Sequence, residues 1–133
     1  MLYRRPYPIE FNHCDPAGIV FYPRYFEMTN HVCENFFREV VGRSYAAMMA
    51  AKTGVPTVHI DVDFTAVSYL GDVLDVTLQI TKLGRASLTF QIIGTCNGQT
   101  RLTVNLVMCW MQGKSAAPWP EDMRATLQTF MAA

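Results

Sequence analysis

From residue 57 onward, apolar and polar side chains alternate in four successive segments of the chain. In the first segment, TVHIDVDFT, residues Val58, Ile60, Val62 and Phe64 fall on one face. The same alternation recurs in three further segments, 73–83, 86–96 and 101–111. Because successive side chains of a strand point to opposite faces, this pattern predicts antiparallel strands with one face on a core. Asn97-Gly98, between the last two segments, predicts a tight hairpin turn.

The first half of the chain has a different pattern. Residues 3–11 can form a first strand, which Pro6 and Pro8 weaken or place at a sheet edge. Pro23 suits the first turn of a helix that we expect to run from about Tyr22 to Val41 and to stop at Gly42. Two shorter helices are also predicted: Ser44 caps one that continues to about Lys52, and the other lies in the tail, 119–132, with Pro120 and two acids in its first turn.

This order of elements predicts an α+β fold, in which one long helix lies across a curved antiparallel sheet. The 133 residues fit a single domain, 1–133. Half of them are apolar, which is enough for a hydrophobic core without disulfide bonds or other cross-links. The apolar positions of the long helix cover more than one narrow stripe, so the helix is expected to be covered on several sides. One small sheet would not cover all of this surface, which suggests an oligomer.

Charge and cysteine content exclude several classes of protein. Lys plus Arg equals Asp plus Glu, 11 against 11, so there is no electrostatic case for nucleic acid or an anionic membrane. No apolar run approaches the roughly 18 residues of a membrane span, and the N-terminus lacks the apolar region of a secretory signal. We therefore expect a cytoplasmic protein. The four cysteines form no CxxC pair and no zinc-like spacing with histidine, so free thiols and no metal site are expected.

The loop before the long helix, FNHCDPAGIVFYP, contains three adjacent side chains capable of chemistry. Asp15 precedes a proline, which favours an extended conformation, and a carboxylate can attack an acyl carbon or activate water. An Asp-Pro pair also commonly starts a turn, so a purely local role stays open. Cys14 would need a nearby base, and His13 points to the opposite side of an extended stretch, so packing is favoured for Cys14 and a loop role with local hydrogen bonds for His13.

The start of the long helix is a second candidate feature. Gly18 lets the incoming backbone turn and approach a ligand closely. A helix N-terminus presents free N–H groups, which can polarise a carbonyl oxygen as an oxyanion hole. Since Pro23 has no N–H, the backbone N–H of Tyr22 is the natural donor. An ordinary helix start without a ligand is the alternative.

Two further groups are weaker candidates. His59, Asp61 and Asp63 share one strand face, where their spacing could suit a metal or an acid–base site, with His59 also a candidate for substrate binding. A solvated face, or a face at a subunit contact, is the commoner explanation. Arg85 and Ser87 follow Gly84, with Lys82 nearby, and could hold a phosphate group. Exposed turn residues of this kind commonly contact only water.

Residues 9–25, IEFNHCDPAGIVFYPRY, closely resemble the 4-hydroxybenzoyl-CoA thioesterase family of the hotdog superfamily. The resemblance implies a hotdog fold, in which about five antiparallel strands wrap a long helix, and hydrolysis of an acyl-CoA thioester without a cofactor. It assigns Asp15 as nucleophile or general base and the Tyr22 backbone N–H as the group that polarises the thioester carbonyl. It further implies CoA phosphate contacts at Arg85 and Ser87, to which the nearby Lys82 is added as a candidate, and a dimer, often paired into a tetramer, with the active site between subunits.

The acyl group is left open by the resemblance. Aryl-specific members carry a Trp and an Asp in the first turns of the helix, and the matching positions here are Met28 and Asn30. Phe21, Phe26 and Met28 equally suit an aliphatic or another aromatic acyl chain. Two other functions are considered: a hotdog dehydratase that uses His59 with Asp61, and a non-catalytic acyl-CoA binding module.

Overall fold

A computed structural model describes all residues from Met1 to Ala133. Eight strands occur in chain order: β1 (Tyr3–Pro8), β2 (Thr53–Gly54), β3 (Thr57–Phe64), β4 (Val73–Leu83), β5 (Ser87–Cys96), β6 (Gln99–Cys109), β7 (Met111–Gln112) and β8 (Ser115–Ala116). Three α-helices accompany them: α1 (Tyr25–Phe36), α2 (Tyr45–Ala50) and α3 (Glu121–Ala132).

The main sheet is antiparallel and has five strands in the order β1-β4-β5-β6-β3. The four strands predicted from the alternating pattern are therefore confirmed, and β1 adds the fifth. Strands β5 and β6 are joined through Asn97 and Gly98, as the hairpin prediction required. A second sheet contains only the short strands β2, β7 and β8.

The long helical segment runs without a break from Tyr22 to Val41, as predicted. It consists of a 3-10 turn at Tyr22–Arg24, helix α1, and a π-helical turn at Phe37–Val41. Gly42 ends the segment with a φ of 78°, a left-handed conformation that costs little only for a residue without a Cβ. The segment lies against the sheet, and Phe36 packs edge-on against Phe90 of β5 at 5.3 Å between ring centroids.

The hydrophobic core lies between this segment and the sheet and includes 27 buried residues. Helix α3 closes one end of the core, where Phe130 contacts Phe36 with ring centroids 5.0 Å apart. Trp119, just before α3, stacks on Phe37. The predicted α+β architecture with a central helix is thus confirmed, and the layers come together through aromatic contacts distant in sequence.

The structure refines two local predictions and confirms a third. The first strand ends at Pro8 rather than at residue 11, because residues Phe11–His13 form a 3-10 turn. Pro120 stands immediately before α3, while Glu121 and Asp122 occupy its first turn as predicted. Ser44 caps α2 as predicted, and its side chain accepts a hydrogen bond from the Ala47 N–H.

Strand β3 departs from the expectation that one face lies on the core. Val58 is 62% exposed and Phe64 is 46% exposed, whereas the apolar faces of β4, β5 and β6 are buried. Val58 lies at an irregularity in the pairing of β3 with β6, between Thr57 and His59, and β3 stands at the edge of the sheet. The four cysteines are free thiols, as expected. None of the helices is both long enough and apolar enough to cross a lipid bilayer.

A nearly buried ion pair holds the connection between β3 and β4. Arg101 of β6 is 6% exposed and donates to the Asp72 carboxylate at 2.7 Å and to the Val67 carbonyl at 3.0 Å. Asp72 also accepts the Tyr69 backbone N–H at 2.9 Å. That backbone hydrogen bond, followed by the Arg101 guanidinium, lowers the pKa of Asp72 from its ordinary value.

We expect Asp72→Asn to destabilise the protein by about 1–2 kcal/mol at pH 7, because a partly buried, charge-assisted pair is lost. Since the pKa of Asp72 is lower when folded, its contribution is complete above the unfolded pKa of about 3.9 and is lost as the pH falls through the folded pKa. Urea unfolding of wild type and variant should therefore converge at acidic pH.

Asp75→Asn is the matched control for this prediction. Asp75 pairs with Arg4 at 3.4 Å on the exposed surface. Such pairs contribute about 0–1 kcal/mol, so a much smaller effect is expected. Equal destabilisation by the two substitutions would contradict a stabilising role for the Asp72–Arg101 pair. So would a difference in unfolding free energy between wild type and Asp72→Asn that does not change with pH.

Candidate active site

The loop before the helix forms a tight hairpin that presents Asp15 near its tip. The Asp15 N–H donates to the Ile19 carbonyl at 3.0 Å, and the Gly18 N–H donates to the Asp15 carbonyl at 2.9 Å. At the base of the hairpin, the Phe21 N–H donates to the His13 carbonyl at 2.9 Å. Gly18 has a φ of 79°, which most side chains disfavour. Glycine is therefore needed for this turn, as the sequence suggested.

Only one of the two oxygens of the Asp15 carboxylate is hydrogen-bonded within the chain. Its Oδ1 accepts the Ala17 N–H at 2.9 Å, which is the local turn bond that an Asp-Pro sequence favours. Its Oδ2 makes no hydrogen bond within the chain, and the residue is partly buried. The turn role and the chemical role are therefore compatible, because one oxygen maintains the loop while the other is unpaired, and Asp15 lines the adjacent cavity.

Tyr22 begins the helical segment directly after this hairpin. Phe21 is extended, with φ −69° and ψ 119°, and Tyr22 enters the 3-10 turn. None of the turn and loop hydrogen bonds uses the Tyr22 N–H as donor. The first N–H groups of a helix have no partner within the helix, so this donor is free to bind a ligand oxygen.

The connection between β3 and β4 is hydrogen-bonded to the hairpin that carries Asp15. The Val20 N–H donates to the Ser68 carbonyl at 2.9 Å, and the Leu70 N–H donates to the Gly18 carbonyl at 3.2 Å. Because Asp72 and Arg101 anchor the same connection, the Asp15 loop is fixed to the sheet through backbone bonds rather than through its own side chains.

Asp15 and Tyr22 line one cavity of about 600 Å³, here called the Asp15 cleft. Its ten lining residues are mostly hydrophobic and include Phe21, Tyr25 and Phe64. The Phe64 ring meets Tyr22 at 6.0 Å and Tyr25 at 5.5 Å between centroids. The cleft therefore combines one carboxylate and one free backbone donor with an apolar, aromatic wall.

A second cavity of about 440 Å³ lies along α1 and β3 and is here called the helix recess. Phe26, Asn30 and Cys33 line it from α1, Ile60 lines it from β3, and Tyr45 lines it from α2. Burial raises the pKa of the Cys33 thiol to about 12 and also raises the pKa of Tyr45, so both groups remain protonated at neutral pH. The recess thus offers uncharged polar groups within an apolar surface.

The other predicted substrate residues are distributed unequally. Asp15, Phe21 and Tyr22 lie together in the Asp15 cleft, and Phe26 and Asn30 lie in the helix recess. Met28 is 3% exposed in the core and lines neither cavity, because it projects from the opposite face of α1. His59 is exposed on the edge strand, with its Nε2 3.5 Å from an Asp61 oxygen, and also lines neither cavity.

Lys82, Arg85 and Ser87 lie at the β4–β5 turn. Trp119 holds this turn, since its backbone N–H donates to the Arg85 carbonyl at 3.0 Å and its indole N–H donates to the Ser87 carbonyl at 3.1 Å. The side chains of Lys82 and Arg85 are exposed and make no ion pair within the chain. They remain available for an anionic group.

Several cavity residues were not anticipated from the sequence. Tyr25 lies three positions after Tyr22 on the helix, so its place on the same face could have been read from the helical period. Phe64 and Tyr45 reach the cavities only through long-range packing, for which the sequence carries no local signal. No cluster of three or more histidine, cysteine or acidic side chains could hold a metal ion.

Comparison with known proteins identifies relatives along most of the chain. Residues 9–127 match the family described as the Thioesterase-like superfamily. The 1,4-dihydroxy-2-naphthoyl-CoA hydrolase of Synechococcus elongatus is 27% identical over 127 residues, which cover 90% of each protein.

Solved structures share the fold at lower sequence identity. A 1,4-dihydroxy-2-naphthoyl-CoA thioesterase from Synechocystis superposes with a TM-score of 0.87 at 18% identity and covers 96% of both chains. The Staphylococcus aureus protein SAV2348, solved in complex with CoA, has a TM-score of 0.93 at 17% identity over 99% of this chain and 85% of its own. These likenesses confirm the predicted hotdog arrangement.

Proposed function

The chain belongs to the thioesterase-like superfamily, and on this premise we propose that it hydrolyses an acyl-CoA thioester to the free acid and CoA. The observation that carries the proposal is the pairing of the Asp15 carboxylate with the free Tyr22 N–H in one cleft. The hydrolase and thioesterase names of the relatives agree with it.

The proposed reaction needs little beyond these two groups. The thioester carbonyl oxygen accepts the Tyr22 N–H, which stabilises the negative charge that develops as the carbonyl carbon is attacked. Asp15 either attacks this carbon directly or removes a proton from the attacking water. The carbon–sulfur bond then breaks, and the CoA thiolate leaves and takes up a proton. In the direct route the product is an acyl–Asp15 anhydride, which a water molecule hydrolyses to release the free acid and restore the carboxylate. A thiolate is a good leaving group, so no strong acid is required.

The acyl group is proposed to extend from the Asp15 cleft into the helix recess. Both cavities follow α1 and β3, since Tyr25 and Phe64 line the first while Phe26 and Ile60 line the second. The amide of Asn30 offers a hydrogen-bonding group there without a charge. An aryl acyl group with a polar substituent fits this surface, as do the hydroxylated naphthoyl substrates named for the relatives.

The test is a panel of acyl-CoAs assayed with purified protein by release of free thiol. The panel contains hydroxylated aryl, unsubstituted aryl and straight-chain acyl groups. We expect hydrolysis of at least one class. Tight binding without turnover would instead favour an acyl-CoA binding module. Hydration of crotonyl-CoA would favour a dehydratase, for which the exposed His59–Asp61 pair is the only support.

The CoA nucleotide is proposed to contact Lys82, Arg85 and Ser87. We expect Arg85→Ala to raise KM for an acyl-CoA about 5- to 20-fold with little change in kcat, because a charge-assisted phosphate contact of about 1–2 kcal/mol acts on binding. The same substitution should leave hydrolysis of the matching acyl-pantetheine unchanged, since that substrate lacks the nucleotide.

Arg4→Ala is the matched control for Arg85→Ala, because Arg4 is also an exposed arginine but lies on β1, where it pairs with Asp75 of β4. An equal rise in KM for both variants would indicate a general charge effect. An effect of Arg85→Ala on acyl-pantetheine would place Arg85 elsewhere in the reaction.

A homodimer, or a tetramer of two dimers, is proposed as the working form of this single domain. The support is the uncovered edge of β3, where Val58 and Phe64 are exposed, together with the exposed aromatic rings of Phe21 and Tyr22 at the cleft. Light scattering coupled to gel filtration should give two or four times the chain mass of 15.0 kDa. The cytoplasmic location stays a prediction.

A further inference from the structure

We propose that the buried imidazole of His13 is a positioning residue, which holds the Asp15 carboxylate and the Tyr22 N–H at a constant separation. This inference rests on the proposed function, but the anchor itself can be measured without activity. His13 is 4% exposed and lines neither the Asp15 cleft nor the helix recess. A buried polar ring of this kind is expected to satisfy a specific structural need.

The first contact of His13 is with the backbone before the loop. The ring Nδ1 of His13 accepts the Glu10 backbone N–H at 2.9 Å, while the His13 backbone N–H donates to the Glu10 carbonyl at 3.0 Å. These two bonds close the turn that follows β1. Because Nδ1 is an acceptor, the neutral ring carries its proton on Nε2.

The second contact extends the anchor to the sheet and the helix. The Nε2 atom lies 3.5 Å from the Tyr7 hydroxyl, and the two rings are 5.4 Å apart between centroids. On its other side, the Tyr7 ring meets His31 of α1 edge-on at 5.2 Å. Burial raises the pKa of Tyr7 and lowers the pKa of His31, so these two rings are uncharged at neutral pH.

The third contact joins the anchor to both proposed catalytic groups. The His13 carbonyl accepts the Phe21 N–H, and Phe21 immediately precedes Tyr22. His13 also lies two residues before Asp15, and the Asp15 N–H donates to the Ile19 carbonyl in the same hairpin. The imidazole therefore fixes the base of a hairpin that has Asp15 on one arm and Tyr22 just beyond the end of the other. A displacement of about 1 Å between such groups can cost on the order of 10²-fold in rate.

The test compares His13→Asn with His13→Leu. Asparagine places an Oδ1 acceptor where the imidazole has Nδ1, whereas leucine fills similar space without an acceptor. We expect His13→Leu to lower kcat at least about 10-fold with KM within about twofold, and His13→Asn to recover most of the loss. Hydrogen exchange should be faster at the Asp15 and Phe21 amides in His13→Leu and near wild type in His13→Asn.

The outcomes separate this inference from the proposed function. If wild-type protein hydrolyses no acyl-CoA, the proposed function fails, and the exchange rates alone decide whether His13 holds the hairpin. Wild-type kcat and exchange in His13→Leu would overturn the inference, as would equal losses in the leucine and asparagine variants. If His13→Leu does not fold, Tyr7→Leu removes the ring between the two imidazoles, and it should lower kcat and leave KM unchanged.

Discussion

Asp15→Asn should reduce acyl-CoA turnover by about 10³-fold or more and leave the fold intact. The asparagine side chain keeps an oxygen at Oδ1, so the hydrogen bond from the Ala17 N–H that shapes the loop is retained. What is lost is the negative charge and the unpartnered second oxygen, the atom proposed to attack the thioester or to activate water. Initial rates at saturating acyl-CoA and a thermal melt measure the two parts of this expectation.

Asp15→Ala extends this test, because it also removes the bond to Ala17 and should be at least as inactive. Asp75→Asn provides a control for the loss of one carboxylate, since Asp75 lies in β4 away from the Asp15 cleft. Substantial hydrolysis by Asp15→Ala would exclude a chemical role for this residue. Inactivity accompanied by a large loss of thermal stability would assign Asp15 a structural role only.

Tyr22→Pro should lower kcat about 10² to 10³-fold, because it removes the one backbone N–H proposed to stabilise the oxyanion. The substitution is compatible with the local backbone. Proline is well tolerated at the first position of a helix, where the N–H has no helical partner. The preceding residue, Phe21, already has the extended conformation that a following proline requires.

Tyr22→Ala is the matched control, because it removes the aromatic side chain and keeps the N–H. Its effect should be confined mainly to KM, since the Tyr22 ring contributes to the wall of the cleft through its contact with Phe64. Similar kcat values for the proline and alanine variants would show that the N–H is not a donor to the transition state.

Much of the fold could be predicted because it depends on local patterns. Alternation with a period of two identified the strands, and Gly42 and Ser44 marked the end of the long helix and the start of α2. Strand ends were less well predicted. The first strand stops at Pro8, since the capping interactions between Glu10 and His13 form a turn that competes with extension of the strand.

The candidate site could be predicted only in part. Asp15 and Tyr22 lie in one short segment, so a loop followed by a helix start singled them out as candidates, and the family resemblance then assigned their roles. Met28 and Asn30 lie two positions apart on a helix, which directs them to different faces, and the sequence did not reveal which face meets the core. Phe64 joins Tyr22 and Tyr25 from a strand some 40 residues away along the chain.

By itself, the sequence determined the strand and helix pattern, the turn at Gly18, and the two groups proposed for chemistry, because each depends on residues within a few positions of one another. Only the tertiary structure decided the wall of the Asp15 cleft, the Arg101–Asp72 anchor behind the loop, and the burial of His13 between Glu10 and Tyr7. These features depend on how α1 packs on the sheet, and side-chain packing between distant segments leaves no periodic signal in the sequence.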